Sequence, residues 1–441
     1  MFFSIPDVTE ISAKSSHNQQ AYTLFNVHVN GVHHCSLRYS QLYIFNQELR
    51  RLLPRAMGNV DVFPPKKLFS LSTKETDERR ILLEHYLQAV SQNKYILTTS
   101  YFNEFFLNAQ RETFLTKLNN TDDKVNMKIC LLNKHEIVIE NVSTKGNTTH
   151  LFDLCISKLQ LSQDFHSYFA LFFFTQNDKN QMNILRPLYD FESPYLSFEQ
   201  NKKAYEQIHI VLKRSYWDSE IDLQMIEDRR ARNLLFVQAQ YEIEQSEPLC
   251  PNELYQQLET LKNNNSLKDY ILLARTTKFY GHIFLPNCAI LYPIDDKTTQ
   301  KLCQCILAIG NNEIICCIQI DEKKKKKIKD ITFKVTRIRC WKITRTKQES
   351  FIAIEYLIDK DRLDWITIHT QQSPLINTCL QNIVDEIIAK RVSSATPLTQ
   401  ETTTNESTKS KGADGLAKRT NSQAERIENN LFEGALGDDD L

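Results

Sequence analysis

The chain has 441 residues, 41% of them hydrophobic and 10% aromatic, which is globular composition for about two to four domains. Its 54 basic and 54 acidic residues cancel, so no global field draws it to nucleic acid or to a membrane, and any anion must be held by a local patch. Only 9 Gly and 12 Pro exclude collagen-like and glycine-rich classes.

The start, MFFSIPDVTEISAK, carries an acid early and has no apolar core of signal-peptide length. No run approaches the roughly 18 apolar residues of a spanning helix. Eleven cysteines without framework spacing are expected to be reduced thiols of a cytosolic protein. Residues 21–42 alternate about Asn30-Gly31, the signal of a type I′ hairpin. A helix follows on Leu42, Phe45, Leu49 and Leu52. The Pro-stiffened loop FPPKKLF and two amphipathic helices, TKETDERRILLEHYLQAVSQ and SYFNEFFLNAQ, complete a first domain, residues 1–112.

VNMKICLLNKHEIVIENV reads as a second hairpin, with a helix at 148–160 and strands YFALFFFTQ and YEQIHIVLKRSYW after it. This β-β-α-β-β order predicts a ubiquitin-like lobe over 113–217. Leu-spaced polar helices predict a small helical lobe over 218–278. From 279 to 391 the period returns to 2, and one helix, SPLINTCLQNIVDEIIAKR, closes the region as in a pleckstrin-homology or phosphotyrosine-binding barrel. Residues 392–441 have almost no aliphatic content until their end; they cannot offset their ordering entropy and are expected to be a disordered tail. The expected fold is therefore multidomain α+β.

Cationic residues converge from three elements of the first domain: Arg38-Tyr39 at a strand end, Lys66 and Lys67 after Pro64-Pro65, and Arg79-Arg80 in a helix. Arg offers a planar fork to phosphate, Lys a point charge, and a Tyr face can pack on a ring. A solvated basic surface is the bland alternative. No nucleotide-cradling glycine motif, nucleophile elbow or HExxH is present, so neither an enzyme nor a cofactor is expected. His28, His33 and Cys35 stand near one another but fall short of four zinc ligands, and no metal is expected. The lysine run 323–327 reads as a solvated turn.

RYSQL, FPPKKLFSL and ERRILLEHYLQAV together resemble a Phox-homology (PX) domain. Adding LKRSYWDS, RIRCWKIT, EYLIDKDRLDWITI, CLQNIVDEII and FEGALGDDDL, nearly the whole chain resembles the sorting nexins with an atypical FERM module: ubiquitin-like F1, helical F2 and PTB/PH-like F3. That resemblance implies phosphatidylinositol 3-phosphate on early or recycling endosomes, with Arg38 on the 3-phosphate, Tyr39 on the inositol ring, Lys66 on the 1-phosphate and Arg79 on the ring hydroxyls. Val62-Phe63 stand where the family's proline loop has a further Pro, and Leu68 and Phe69 could dip into the bilayer.

It further implies that the last lobe binds Asn-Pro-x-Tyr or Asn-x-x-Tyr/Phe signals of receptor tails by strand addition. The strand SFIAIEYLID would be the edge, with Trp341, Leu357, Val384 and Ile388 lining the groove; core packing is the alternative for each. Cargo would then return to the plasma membrane and escape lysosomal degradation. The tail's Asn429-x-x-Phe432 has the form of such a signal in cis and would act as an autoinhibitor. Leu436, Asp438, Asp439, Asp440 and Leu441 would dock the retriever complex, with a PDZ-type groove as the runner-up. The competing class is an endosomal signalling scaffold that binds a small GTPase.

Overall fold

The computed structural model describes residues 1–11, 21–60, 62–67, 71–115, 123–177, 181–246, 251–293, 300–322, 325–345, 349–360, 362–394, 426–428 and 431. In the first domain, β1 (Phe3–Ser4) and β2 (Val8–Ile11) pair in succession with β3 (Tyr22–Val29), whose other side carries β4 (Val32–Arg38). Asn30 and Gly31 both have positive φ, +50° and +84°, which is the I′ turn that the dipeptide predicts. Helices α1 (Tyr39–Leu52), α2 (Thr73–Gln92), α3 (Lys94–Leu97) and α4 (Ser100–Leu115) pack on this sheet around Phe25, Phe45, Phe102 and Phe106. Ser72 and Glu75 form a capping box that starts α2.

The second lobe holds β5 (Lys124–Cys130), β6 (Glu136–Ser143), α5 (Thr148–Leu159), β7 (Phe169–Gln176), β8 (Met182–Pro187), α6 (Pro194–Asn201) and β9 (Ile208–Arg214). The sheet order is β6-β5-β9-β7-β8, with β5 and β9 parallel. Strand β8 and helix α6 add to the β-β-α-β-β reading. β8 lacks a clean alternating pattern of apolar residues because one of its inward positions is Arg186, whose Nη1 and Nη2 donate to buried Glu192 at 2.6 and 2.8 Å. The helical lobe comprises α7 (Ile221–Met225), α8 (Arg229–Ser246), α9 (Asn252–Asn263) and α10 (Leu267–Ala274), packed around Ala239, Ile243, Leu258 and Tyr270.

The last lobe is one antiparallel sheet. Its strands are β10 (Ile283–Pro293), β11 (Gln300–Gly310), β12 (Glu313–Glu322), β13 (Lys325–Lys334), β14 (Ile338–Arg345), β15 (Ser350–Asp359) and β16 (Arg362–His369), and α11 (Ser373–Ser394) closes it. A further strand, β17 (Arg426–Glu428), comes from the tail; the order is β13-β12-β11-β10-β16-β15-β14-β17. Two expectations change here. Residues 392–394 continue α11 and 426–428 form a strand, whereas the remaining tail residues, Leu431 apart, lie outside the described residues. And β15 is an interior strand, paired with β14 and β16; the strand to which the tail adds is β14.

The units are joined by buried and partly buried polar contacts. Asn30 of the first domain donates from Nδ2 to Tyr189 Oη at 2.9 Å and accepts at its carbonyl from Arg345 Nη1 at 3.2 Å. Gln110 donates to Ser197 Oγ and accepts from Ser193 N, at 2.9 and 2.7 Å. Glu386 of α11 accepts from the backbone N–H groups of Trp217 and Asp218 at 2.9 and 2.5 Å, so the Tyr216-Trp217-Asp218 link is tied to the closing helix. No helix of the described residues is long and apolar enough to cross a membrane.

Candidate functional site

Two sites are assembled. The first is a cavity of about 700 Å³ in the first domain, whose lining includes Glu10, Tyr22, Arg38, Tyr39 and Arg79. Arg38 ends β4 in extended geometry, and its backbone N–H is satisfied by Gln41 Oε1 at 2.8 Å. It lies 3.5 Å over the Tyr22 ring. Arg79 lies 4.2 Å over the Tyr39 ring and donates to the Pro65 carbonyl at 3.3 Å, while Tyr39 Oη donates to the Pro64 carbonyl at 2.8 Å. The proline loop, α1 and α2 are thereby fixed to one another.

Lys67 pairs with Glu75 at 2.7 Å. The Lys67 hydrogen bond, helped by Ser72, holds the Glu75 carboxyl down at about 2. Lys66 is exposed on the same loop, outside the cavity lining. Arg80 turns away: it donates to the Ile5 carbonyl and pairs with Asp77 at 2.7 Å. The cavity thus brings together Arg38, Tyr39 and Arg79 of the sequence candidates. Tyr22 and Glu10 escaped sequence reading, because a single aromatic and a single acid on short strands carry no spacing signal. Leu68 and Phe69 lie outside the described residues.

The second site is the β14 edge. The tail strand β17 pairs with it antiparallel, Cys340 opposite Glu428, Trp341 opposite Ile427 and Lys342 opposite Arg426. Trp341 is 1% exposed, and its Nε1 donates to Asn377 Oδ1 of α11 at 2.7 Å. Val384 and Leu431 are buried in the same cluster, with Ile388 and Ile427 packed against it. Trp341 and Val384 thus share one core cluster, and Ile388 packs against it. Leu357 lies outside that cluster: it is buried and pairs with Leu363. It alternates with Tyr356, whose ring belongs to the core side.

Arg339 makes a bidentate pair with Glu355 at 2.8 and 2.5 Å, so its charge is already matched. Asn429, Phe432, Leu436, Asp438, Asp439, Asp440 and Leu441 lie outside the described residues. His28 and His33 are cross-strand partners with ring centroids 5.3 Å apart, engaged with the Gly31 carbonyl and Ser36 Oγ respectively, and Cys35 is buried in the core. Lys323 and Lys324 lie outside the described residues, and Lys325–Lys327 belong to β13 rather than to a turn.

The chain thus consists of a first domain with a cationic cavity, followed by a three-lobed module whose last lobe offers a strand edge. Comparison with known families agrees segment by segment: the PX domain matches at 25–109, the F1 lobe of the sorting nexin 17/27/31 FERM domain at 125–217, the F2 lobe of the sorting nexin 17/31 FERM domain at 218–278, and the sorting nexin 17 FERM C-terminal domain at 281–388. The chain is 34% identical over 410 residues to sorting nexin-17 of Danio rerio and 33% identical over 407 to that of Homo sapiens, in each case across 89% of this chain and 82% of the relative. Sorting nexin-31 of Homo sapiens is 30% identical over 383 residues, 84% of this chain and 82% of the relative. The chain belongs to the PX-FERM sorting nexins, a family of non-enzymatic adaptors. Its PX domain implies phosphoinositide binding and a role in endosomal sorting.

Proposed function

We propose that the protein is an endosomal cargo adaptor that recognises two things at once. The PX cavity takes phosphatidylinositol 3-phosphate: Arg38 forks the 3-phosphate, Tyr39 packs on the ring, Arg79 meets the ring hydroxyls and Lys66 reaches the 1-phosphate from the loop. The F3 edge takes Asn-Pro-x-Tyr or Asn-x-x-Tyr/Phe signals of receptor tails, with Trp341, Val384 and Ile388 beneath them. The cargo returns to the plasma membrane through retriever, which docks on the acidic carboxyl end, Leu436 to Leu441.

One observation carries this reading: an extended segment, Arg426–Glu428, is already added to β14 with Ile427 against Trp341. Main-chain pairing supplies affinity in such an arrangement and alternate side chains supply specificity. In the resting protein the tail holds the groove in cis; its described segment 426–428 pairs with β14, and Asn429-x-x-Phe432 has, in sequence, the form of such a signal. A tethered ligand has a high effective concentration, so even a weak one competes with cargo. The test is Val384→Asp. It is expected to abolish receptor-peptide binding and leave binding to phosphatidylinositol 3-phosphate vesicles intact. A variant that keeps its main protein partner while losing the peptide would point instead to a GTPase-binding scaffold.

A further inference from the structure

The groove under the tail strand opens into a cavity of about 570 Å³. One side is F3: Trp341, Val384 and Asp385. Much of the remaining lining is not F3 at all. It is made by Gln92, Lys94, Leu97, Thr98 and Asn103 of the PX domain, with Tyr189 and Phe191 of F1. Ile427 of the tail stands in its wall.

These walls are held in register. Lys94 pairs with Asp385 across the domain boundary at 3.4 Å. Asn377, which holds the Trp341 indole, also donates from Nδ2 to the Met1 carbonyl of the PX domain at 3.4 Å. Tyr189 and Arg345 clamp the Asn30 turn, and Arg345 ends the very strand that accepts the tail.

We propose that the PX domain is part of the peptide-binding site: it forms part of the wall of the cavity that receives the side chain opposite Trp341. This rests on the reading that β14 accepts receptor tails. Ile427 stands in the wall without filling the cavity, and the lining sets apolar side chains (Trp341, Leu97, Val384) beside amide and hydroxyl groups (Gln92, Thr98, Asn103). A side chain with an aromatic body and a polar tip matches both, and tyrosine is that side chain. The occupant is therefore an extended receptor-tail peptide with tyrosine at the position of Ile427. Lipid and cargo are then read by one rigid body rather than by two domains on a tether.

The experiment uses the full chain carrying Ile427→Asp, which places a charge against buried apolar surface and takes the tail off β14. Calorimetry measures an Asn-Pro-x-Tyr peptide with Ala, Ile or Tyr at the position opposite Trp341, against this protein and against the same protein with Leu97→Ala. Tyr is expected to bind at least threefold tighter than Ile and tenfold tighter than Ala. In the Leu97→Ala protein the Tyr advantage is expected to fall by threefold or more, a coupling between peptide and PX domain that a double-mutant cycle isolates. Unchanged binding of Leu97→Ala to phosphatidylinositol 3-phosphate vesicles shows that the PX domain is folded. Peptide binding with the same Tyr advantage in both proteins overturns the composite site and leaves the F3 groove standing. No peptide binding to either protein overturns the groove itself.

Discussion

Trp341 faces Ile427 across an antiparallel pair, and the same indole is pinned from behind by Asn377 Oδ1 at 2.7 Å. Strand edge, closing helix and tail therefore meet on one aromatic side chain. Asn377→Leu removes the acceptor and leaves a buried N–H without a partner, which costs about 1–3 kcal/mol. Denaturant unfolding is expected to show that loss. Receptor-peptide affinity is expected to fall as well, because the indole is no longer held flat beneath the groove.

In the PX cavity, Arg38 is preorganised by the Tyr22 ring 3.5 Å away. Arg38→Gln is expected to lower affinity for phosphatidylinositol 3-phosphate vesicles by tenfold or more, since a charge-assisted fork is lost. Tyr22→Leu keeps the charge but releases the guanidinium, and a cation–π contact at an exposed site is worth about 0.5–1 kcal/mol. Its expected effect is a two- to fivefold loss, by roughly that conversion. Vesicle co-sedimentation distinguishes the two.

The cationic cavity was legible in part: Arg38 and Tyr39 stand together in RYSQL, at the junction of β4 and α1, and Arg79 falls in the helical stretch ERRILLEHYLQAV. Lys66 was grouped with them by sequence, yet its loop carries it outside the lining. The β14 edge site was half legible. Val384 and Ile388 share one face of α11 by their spacing, and Trp341 stood out among polar neighbours. Strand order was not legible. Alternation gives a strand's faces but not its neighbours, and SFIAIEYLID, nearly all apolar, suits an interior strand as well as an edge. The tail strand was not legible either. Of its three residues only Ile427 is apolar, and it is extended because β14 offers unpaired backbone groups, not because its composition favours a strand.

Gly31 links the two halves of the molecule. Its φ is +84°, and a Cβ there would come within 2.4 Å of the Arg345 guanidinium. Gly31→Ala therefore adds backbone strain of about 1–2 kcal/mol and displaces Arg345 from the Asn30 carbonyl. Thermal unfolding is expected to show a loss of that order. Part of it is shared with Arg345→Ala, so the double variant is expected to lose less than the sum.

Burial lowers His34 to about 4, against its ordinary 6.5. Its Nε2 meets the Phe106 carbonyl, and Glu192, Arg186 and His33 are in electrostatic reach. Below pH 6.5 the unfolded chain takes up a proton that the folded chain refuses, so stability falls as pH drops from about 6.5 toward 4. At pH 5 this group alone is expected to cost about 2 kcal/mol relative to pH 7.5. His34→Gln is expected to flatten that part of the pH profile in chemical denaturation.

On the proposed function, the groove of β14 binds receptor tails and the chain's own tail covers it. Calorimetric titration of an Asn-Pro-x-Tyr receptor peptide into the full chain, and into a chain ending at residue 394, tests it most directly. The shortened chain is expected to bind at least fivefold tighter, and Phe432→Ala in the full chain is expected to reproduce much of that gain. Equal affinity for both chains would contradict the covering role of the tail, and no binding to either would contradict the groove.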